Sequence, residues 1–144
     1  MLSRTAEYAL RAIVWLSSHP EASVTGQALA AATQVPPDYL AKVMHSLVLA
    51  GLVDAQRGKK GGFSLVSTPE EVTILDVINA VEPVRRFRSC PLGIAGHESL
   101  CPLHRSLDNI AGQLEHAYGA IRLSDLLRSA GVKPLCPVPE TANA

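Results

Sequence analysis

Two thiols and two imidazoles fall within fifteen residues of this 144-residue chain, at Cys90, His97, Cys101 and His104. Thiolate and imidazole are the usual donors to zinc and to iron–sulfur clusters. Cys101 and His104 stand three positions apart at a predicted helix start, so both can face one centre. The residues alone leave other readings open, namely two inert buried cysteines or a reversible Cys90–Cys101 disulfide. Cys136 lies in a proline-rich tail and is read as a bystander. His19 and His116 belong to no donor pattern and are read as solvated surface residues.

A second group suits nucleic acid. Arg57-Gly58-Lys59-Lys60-Gly61-Gly62 combines positive charge with glycines that allow a backbone to approach closely. It joins two short alternating runs, Leu52 to Arg57 and Phe63 to Val66, which predicts a β-hairpin. Arginine at such a tip suits a narrow, negative minor groove. The elements ahead of the hairpin must position it. An apolar stripe of Ala6, Ala9, Leu10, Ile13 and Leu16 predicts a helix from Ser3 to about Ser18, closed by Pro20. Thr25 is placed to cap a second helix over 26–33. Pro36-Pro37 opens a third, in which Leu40, Val43, Met44 and Leu47 face the core. Asp38, Ala41, Lys42 and His45 then project outward. Gly51 is placed to end that helix. Three helices and a basic hairpin in this order define a winged helix-turn-helix, whose third helix enters the major groove. There, Lys42 and His45 can reach phosphates or bases, and Asp38 can accept from cytosine.

Downstream, Thr68-Pro69-Glu70-Glu71 and Thr73 carry start signals for a fourth helix ending near Val81. Residues 83–101 read as irregular. A long helix then runs from Pro102 to about Ala120, and a short packing helix covers 124–129. On the long helix Leu103, Leu107, Ile110, Leu114, Ala117 and Ile121 recur at alternating spacings of four and three. That seam matches a coiled coil and predicts a twofold partner. The expected fold class is mainly α with a small β-hairpin wing. The expected divisions are a winged helix-turn-helix over 1–81, a sensor loop over 82–101, a dimerisation helix with its packing helix over 102–131, and a flexible tail over 132–144.

Lys+Arg and Asp+Glu both number 13, so a globally basic nucleic-acid coat is excluded while a locally basic groove is not. Residues 1–66 hold six cations against four carboxylates, and three of those cations are Arg57, Lys59 and Lys60. At 47% hydrophobic the chain has the means to build a core and does not fit a disordered class. No apolar run approaches the ~18 residues of a membrane span. The first seven residues lack a signal-peptide layout, and three cysteines make no secreted disulfide framework, so a cytoplasmic protein is expected. No P-loop, GxSxG elbow or HExxH helix is present, and Glu70-Glu71 reads as helix N-terminal charge, so no enzyme is expected.

Several stretches together resemble the Rrf2 family of bacterial transcription regulators. They are Arg4-Thr5-Ala6-Glu7-Tyr8-Ala9-Leu10-Arg11-Ala12, Tyr39-Leu40-Ala41-Lys42-Val43 and Ala50-Gly51-Leu52-Val53. The wing Arg57-Gly58-Lys59-Lys60-Gly61-Gly62-Phe63 is similar to the family's RGxxGGY/F hairpin, its most specific motif. Ile74-Leu75-Asp76-Val77-Ile78 and the loop ending Cys101-Pro102-Leu103-His104 continue the match to about residue 130. The resemblance implies a homodimeric winged-helix regulator that binds a near-palindromic double-stranded operator, with Asp38, Tyr39, Lys42, His45, Arg57, Lys59 and Lys60 toward DNA. It also implies an iron–sulfur cluster, 2Fe-2S before 4Fe-4S, in the cysteine loop. Cys90 and Cys101 match its first and last cysteines, and His104 matches the histidine of one branch. Glu7 occupies the place of an acidic ligand that the partner's first helix supplies in some members. This sequence departs from the pattern in two places. Gly96 and His97 stand where the middle cysteine falls, which makes His97 an alternative ligand. Arg11 stands where another branch has a histidine. The alternative is a winged-helix regulator without a cluster, switched by zinc, thiol–disulfide chemistry or a small ligand.

Overall fold

The computed structural model of the chain describes residues 2–91, 93–96 and 99–128. Among these residues the order is α1 (Arg4–Ser17), α2 (Gly26–Thr33), α3 (Pro37–Leu49), β1 (Val53–Gln56), β2 (Gly62–Leu65), α4 (Ile74–Val81), α5 (Pro102–Gly119) and α6 (Leu123–Leu127). The architecture is mainly helical with one antiparallel hairpin, as the patterning predicts.

Each early helix has a local cause. Ser3 caps α1 by accepting the Ala6 N–H at its hydroxyl, 3.1 Å away. Thr25 caps α2 in the same way through the Ala28 N–H. The prolines start α3, whose Leu40, Val43, Met44 and Leu47 are all fully buried. Gly51 ends it at φ 77°, a left-handed conformation that glycine adopts without strain. Its N–H donates to the Val48 carbonyl at 3.0 Å, and the Leu52 N–H donates to the Leu47 carbonyl at 3.1 Å. Those two bonds form a Schellman motif, which turns the chain sharply into β1.

In the hairpin Val53 faces Leu65 and Gln56 faces Gly62. The wing has a third tether. Val24, between α1 and α2, bridges Phe63 through a reciprocal pair of backbone bonds of 2.7 and 3.1 Å. Gly62 is required for this approach, because a Cβ there would overlap the Val24 backbone. The wing base is therefore bonded into the helical body while its tip stays outside.

Thr73 and Asp76 close a capping box that starts α4. Glu70 and Glu71, expected as charges on that helix, lie in the turn before it, and the Glu71 carboxylate accepts the Thr68 N–H at 3.1 Å. The start signal was real but split: Thr68 to Glu71 closes a turn, and Thr73 caps the helix.

The core joins α1 to α4 with the sheet and α6. Leu123 of α6 is fully buried within it. The Leu123 N–H donates to the Val72 carbonyl and the Ile74 N–H to the Ile121 carbonyl, each at 2.9 Å. After α5 the chain thus returns to the first half of the fold. The short helix spans 123–127 rather than 124–129, and Ser129 with the expected tail lies outside the described residues. On α5 only Ala111 is buried. Among the described residues no helix is long and apolar enough to cross a membrane.

Candidate functional site

Cys90, Cys101 and His104 come together where the irregular loop meets the start of α5. One donor atom from each lies within 4.8 Å of the other two. Cys90 is buried, and the other two are partly exposed. The Cys101 N–H donates to the Cys90 sulfur at 3.4 Å, and the Cys90 thiol points to the Ser99 carbonyl at 3.7 Å. The Cys101 sulfur meets His104 Nδ1 at 3.1 Å. No disulfide joins the two cysteines.

Helix geometry explains the Cys101–His104 approach. Cys101 is the N-cap of α5, with φ −64° and ψ 164°, and Pro102 starts the first turn. A residue three positions on then lies over the cap. The backbone N–H of His104 leads, followed by its imidazole, in lowering the Cys101 thiol from 9.0 to about 7. A thiol at a helix N-terminus is stabilised as thiolate, the form that binds metal. Two sulfurs and one imidazole this close form the donor chemistry of zinc or iron, with three of four tetrahedral positions supplied.

Glu7 is exposed on α1 and stands outside this group among the described residues. Its expected place was in a second copy of the chain. His97, the alternative ligand, lies outside the described residues, as does Cys136. His19 is not merely solvated. Its ring stacks on Trp15 at 3.9 Å, and its Nδ1 lies 2.8 Å from the Trp15 carbonyl.

An ion-pair network that sequence patterning missed holds the loop to α5. Arg86 Nε and Nη2 donate to the two Asp108 carboxylate oxygens at 2.8 and 3.0 Å. Its Nη1 donates to Glu115 at 2.7 Å. The Phe87 N–H donates to the same Asp108 carboxylate at 2.8 Å, and the Phe87 ring leans against His104 at 5.2 Å. Asp108 and Glu115 follow His104 by four and eleven positions, and so share its face of α5. That acidic face, opposite an Arg85-Arg86-Arg88 run, was the available signal.

The adjoining face of α5 is apolar and largely open. Leu103 is 64% exposed and Ile110 53%. Leu107, Ile110 and Leu114 line a cleft of about 420 Å³ shared with Leu2, Ala6, Ile78, Val84 and Phe87. Tyr118 also lines it, and its buried hydroxyl has no hydrogen-bond partner among the described residues. At the rim the Ser3 hydroxyl donates to Glu82.

On the other side, Asp38, Tyr39, Lys42 and His45 are exposed along α3, and Arg57, Lys59 and Lys60 are exposed at the hairpin tip. Tyr39 is also anchored to α1. Its ring meets Tyr8 edge-on at 5.3 Å, and its hydroxyl lies 3.4 Å from Thr5 Oγ1.

A helix-turn-helix with a basic wing, followed by a long helix, defines a winged-helix DNA-binding class. The chain belongs to the Rrf2 family, described as iron-dependent transcriptional regulators, whose model matches residues 2–129. It is an Rrf2-family transcriptional regulator. A putative HTH-type transcriptional regulator of Aquifex aeolicus is 29% identical over 88% of this chain and 91% of its own length. A putative HTH-type regulator of Bacillus subtilis, YwgB, is 42% identical over 53% of this chain and 49% of its own. Among solved structures, T. potens IscR superposes with a TM-score of 0.72 at 24% identity, covering 90% of this chain and 88% of that one. CymR, the global cysteine regulator of B. subtilis, gives 0.68 at 26% identity, over 88% of this chain and 95% of that one.

The Arg86 network makes a pH prediction. Chiefly the Arg86 fork, then the Phe87 N–H, holds the Asp108 carboxyl at about 2, below its ordinary 3.8. A depressed carboxyl contributes stability that is present above its unfolded value and lost as pH falls through its folded one. Wild type should therefore melt above Asp108→Asn near neutral pH, and that advantage should shrink between about pH 4 and about pH 2. A melting difference that stays constant across this window would remove the ion pair as its cause.

Proposed function

We propose that this chain is a homodimeric transcription repressor that binds a near-palindromic double-stranded operator. We further propose that it senses redox state, iron or nitric oxide through an iron–sulfur cluster. The observation that carries the sensing assignment is the convergence of Cys90, Cys101 and His104 within 4.8 Å at the base of α5. Mixed thiolate and imidazole ligation favours a 2Fe-2S cluster. These three residues would hold it, with Glu7 of the second copy as fourth ligand and His97 as the alternative. A bound cluster supplies one-electron redox chemistry and a centre that oxygen or nitric oxide attacks. The chain's own part is to hold two thiols and an imidazole together and to keep Cys90 from solvent.

For DNA, α3 supplies Asp38, Tyr39, Lys42 and His45 to the major groove. The wing supplies Arg57, Lys59 and Lys60 to the flanking minor groove. Lysines give affinity that falls with salt, while an arginine in a narrow groove reads its shape. Arg57→Ala should weaken operator binding about ten-fold while leaving the melting temperature unchanged. Equal affinity would sink the wing assignment.

The dimer reading rests on the open apolar seam of α5, since exposed contiguous apolar surface of this kind marks an interface. Leu103, Leu107, Ile110, Leu114, Ala117 and Ile121 would face a second copy. Ile110→Glu should convert a dimer to a monomer in sedimentation velocity. A mass unchanged by that substitution would place the interface elsewhere.

Anaerobic purification with a visible spectrum and iron and sulfide analysis tests the cluster. A brown wild-type protein with matched iron and sulfide, bleached by Cys90→Ala, is the expected result. A colourless protein carrying zinc would replace the cluster by a Cys2His zinc site, for which the close donor spacing also speaks. A colourless protein with neither metal would leave the winged-helix regulator with a thiol or ligand switch.

A further inference from the structure

We infer that Arg86 is a positioning residue for the Cys90–Cys101–His104 group and acts through Asp108; the inference rests on the metal-site reading above. Among the described residues between the end of α4 at Val81 and the start of α5 at Pro102 there is no regular element. Ordering each such residue costs backbone entropy, so something must fix Cys90 opposite Cys101. Four observations place that task at Arg86. Its guanidinium makes a two-pronged pair with Asp108 and a third bond to Glu115. The next residue, Phe87, donates its N–H to the same carboxylate and sets its ring against His104. Gly112 lies between the two carboxylates on α5, and a Cβ there would sit 3.4 Å from the guanidinium. Cys90 follows Arg86 by four residues, with its sulfur receiving the Cys101 N–H.

An isolated exposed ion pair contributes little to stability. This one is bidentate, branched and joined to a backbone N–H, so its effect falls on geometry. Asp108 is the joint: it ties the loop's entry to the second turn of the helix whose first turn carries His104. The winged-helix core contains none of these residues. Breaking the clamp should therefore free the Cys90 sulfur and leave the DNA-binding half folded.

The test uses metal-free reduced protein in a Cys136→Ser background. Phenylarsine oxide forms two As–S bonds to a pair of neighbouring thiols, and its oxygen leaves as water with the two thiol protons. Its affinity therefore reports how closely Cys90 and Cys101 are held. Arg86→Ala and Asp108→Asn should each weaken capture about ten-fold, the lower end for loss of an outer-shell partner. The double variant should be no weaker than either single one, because both break one unit. Helical circular dichroism should stay at the wild-type level. Capture at wild-type affinity in a folded Arg86→Ala protein would overturn the proposal. Should that variant unfold, Glu115→Ala removes only the outer bond, and capture must still weaken for the proposal to stand.

Cobalt(II) loading separates the two levels of inference. Wild type should show a sulfur-to-cobalt band for two thiolates, and Arg86→Ala a band for one. Wild type that takes up neither cobalt nor iron would defeat the metal reading, while the arsenical result would still decide the clamp. Two-thiolate cobalt in Arg86→Ala would overturn the clamp and leave the metal reading intact.

Discussion

The fold depends on a face of α1 built from small side chains. Ala6, Ala9 and Ala12 are almost wholly buried beside Ile13 and Leu16. Around this helix gather α2, α3, α4, α6 and β2. Methyl side chains let neighbouring helices approach closely, and interiors at such density do not deform one element alone. α1 therefore moves with its neighbours or not at all. Its N-terminal turns make two contacts across the fold. Ser3 bonds Glu82 where α4 hands over to the irregular loop. Tyr8 and Thr5 meet Tyr39 on the third helix. One rigid rod thus touches both the loop side and the proposed recognition helix.

Much of this was legible in the sequence because its causes are local. Thr25 and Ser3 cap their helices by reaching three residues forward, and Gly51 ends α3 by its own backbone freedom. The periodicity of Leu40, Val43, Met44 and Leu47 matched the buried face. The donor group was legible in its parts as well, since Cys101 and His104 are fixed by one helical turn. Their approach to Cys90, across a loop closed over eleven residues, is not fixed by local geometry and was implied only by the family resemblance. The cross-tie of Val24 to Phe63 was not legible, since it joins positions far apart and its backbone bonds leave no side-chain signature. Arg86 was hidden for a different reason. Arginine before a loop is commonplace, and only the spacing of Asp108, Gly112 and Glu115 on one helix face makes a cradle for it. The Glu70-Glu71 misreading arose because turn and helix starts share the same residue chemistry.

The long helix shows how one element serves two purposes. Its acidic face is satisfied within the chain by Arg86, while its apolar face is only partly covered, with Leu103 and Ile110 more than half exposed. A helix with a single buried residue contributes little to its own stability, since helices in proteins depend on packing of an apolar stripe. The chain returns through α6 to the core, so α5 is anchored at its far end by Leu123 and near its start by the Arg86–Asp108 pair. Between those anchors it presents the proposed dimer seam. The cysteine and histidine group sits at the first anchor, where the loop, the helix and the cleft meet.

That placement limits how a signal at the group could reach DNA. A change of ligation can shift an equilibrium only by its differential interaction with two arrangements of the protein. Near the donor group the chain offers few joints: the first turn of α5, the Phe87–His104 contact and the Glu82–Ser3 bond. The first would swing the seam, and with it the separation of the two recognition helices in a dimer. The last would act through α1 on Tyr39. Paired helix-turn-helix units need half-site spacing near one helical turn of DNA, about 34–36 Å. A small rotation at the base of an 18-residue helix, lengthened by its reach, changes that spacing more than a shift within a packed core can. In the proposed dimer, a signal at the group would therefore act on recognition-helix spacing more readily than on the recognition helix itself.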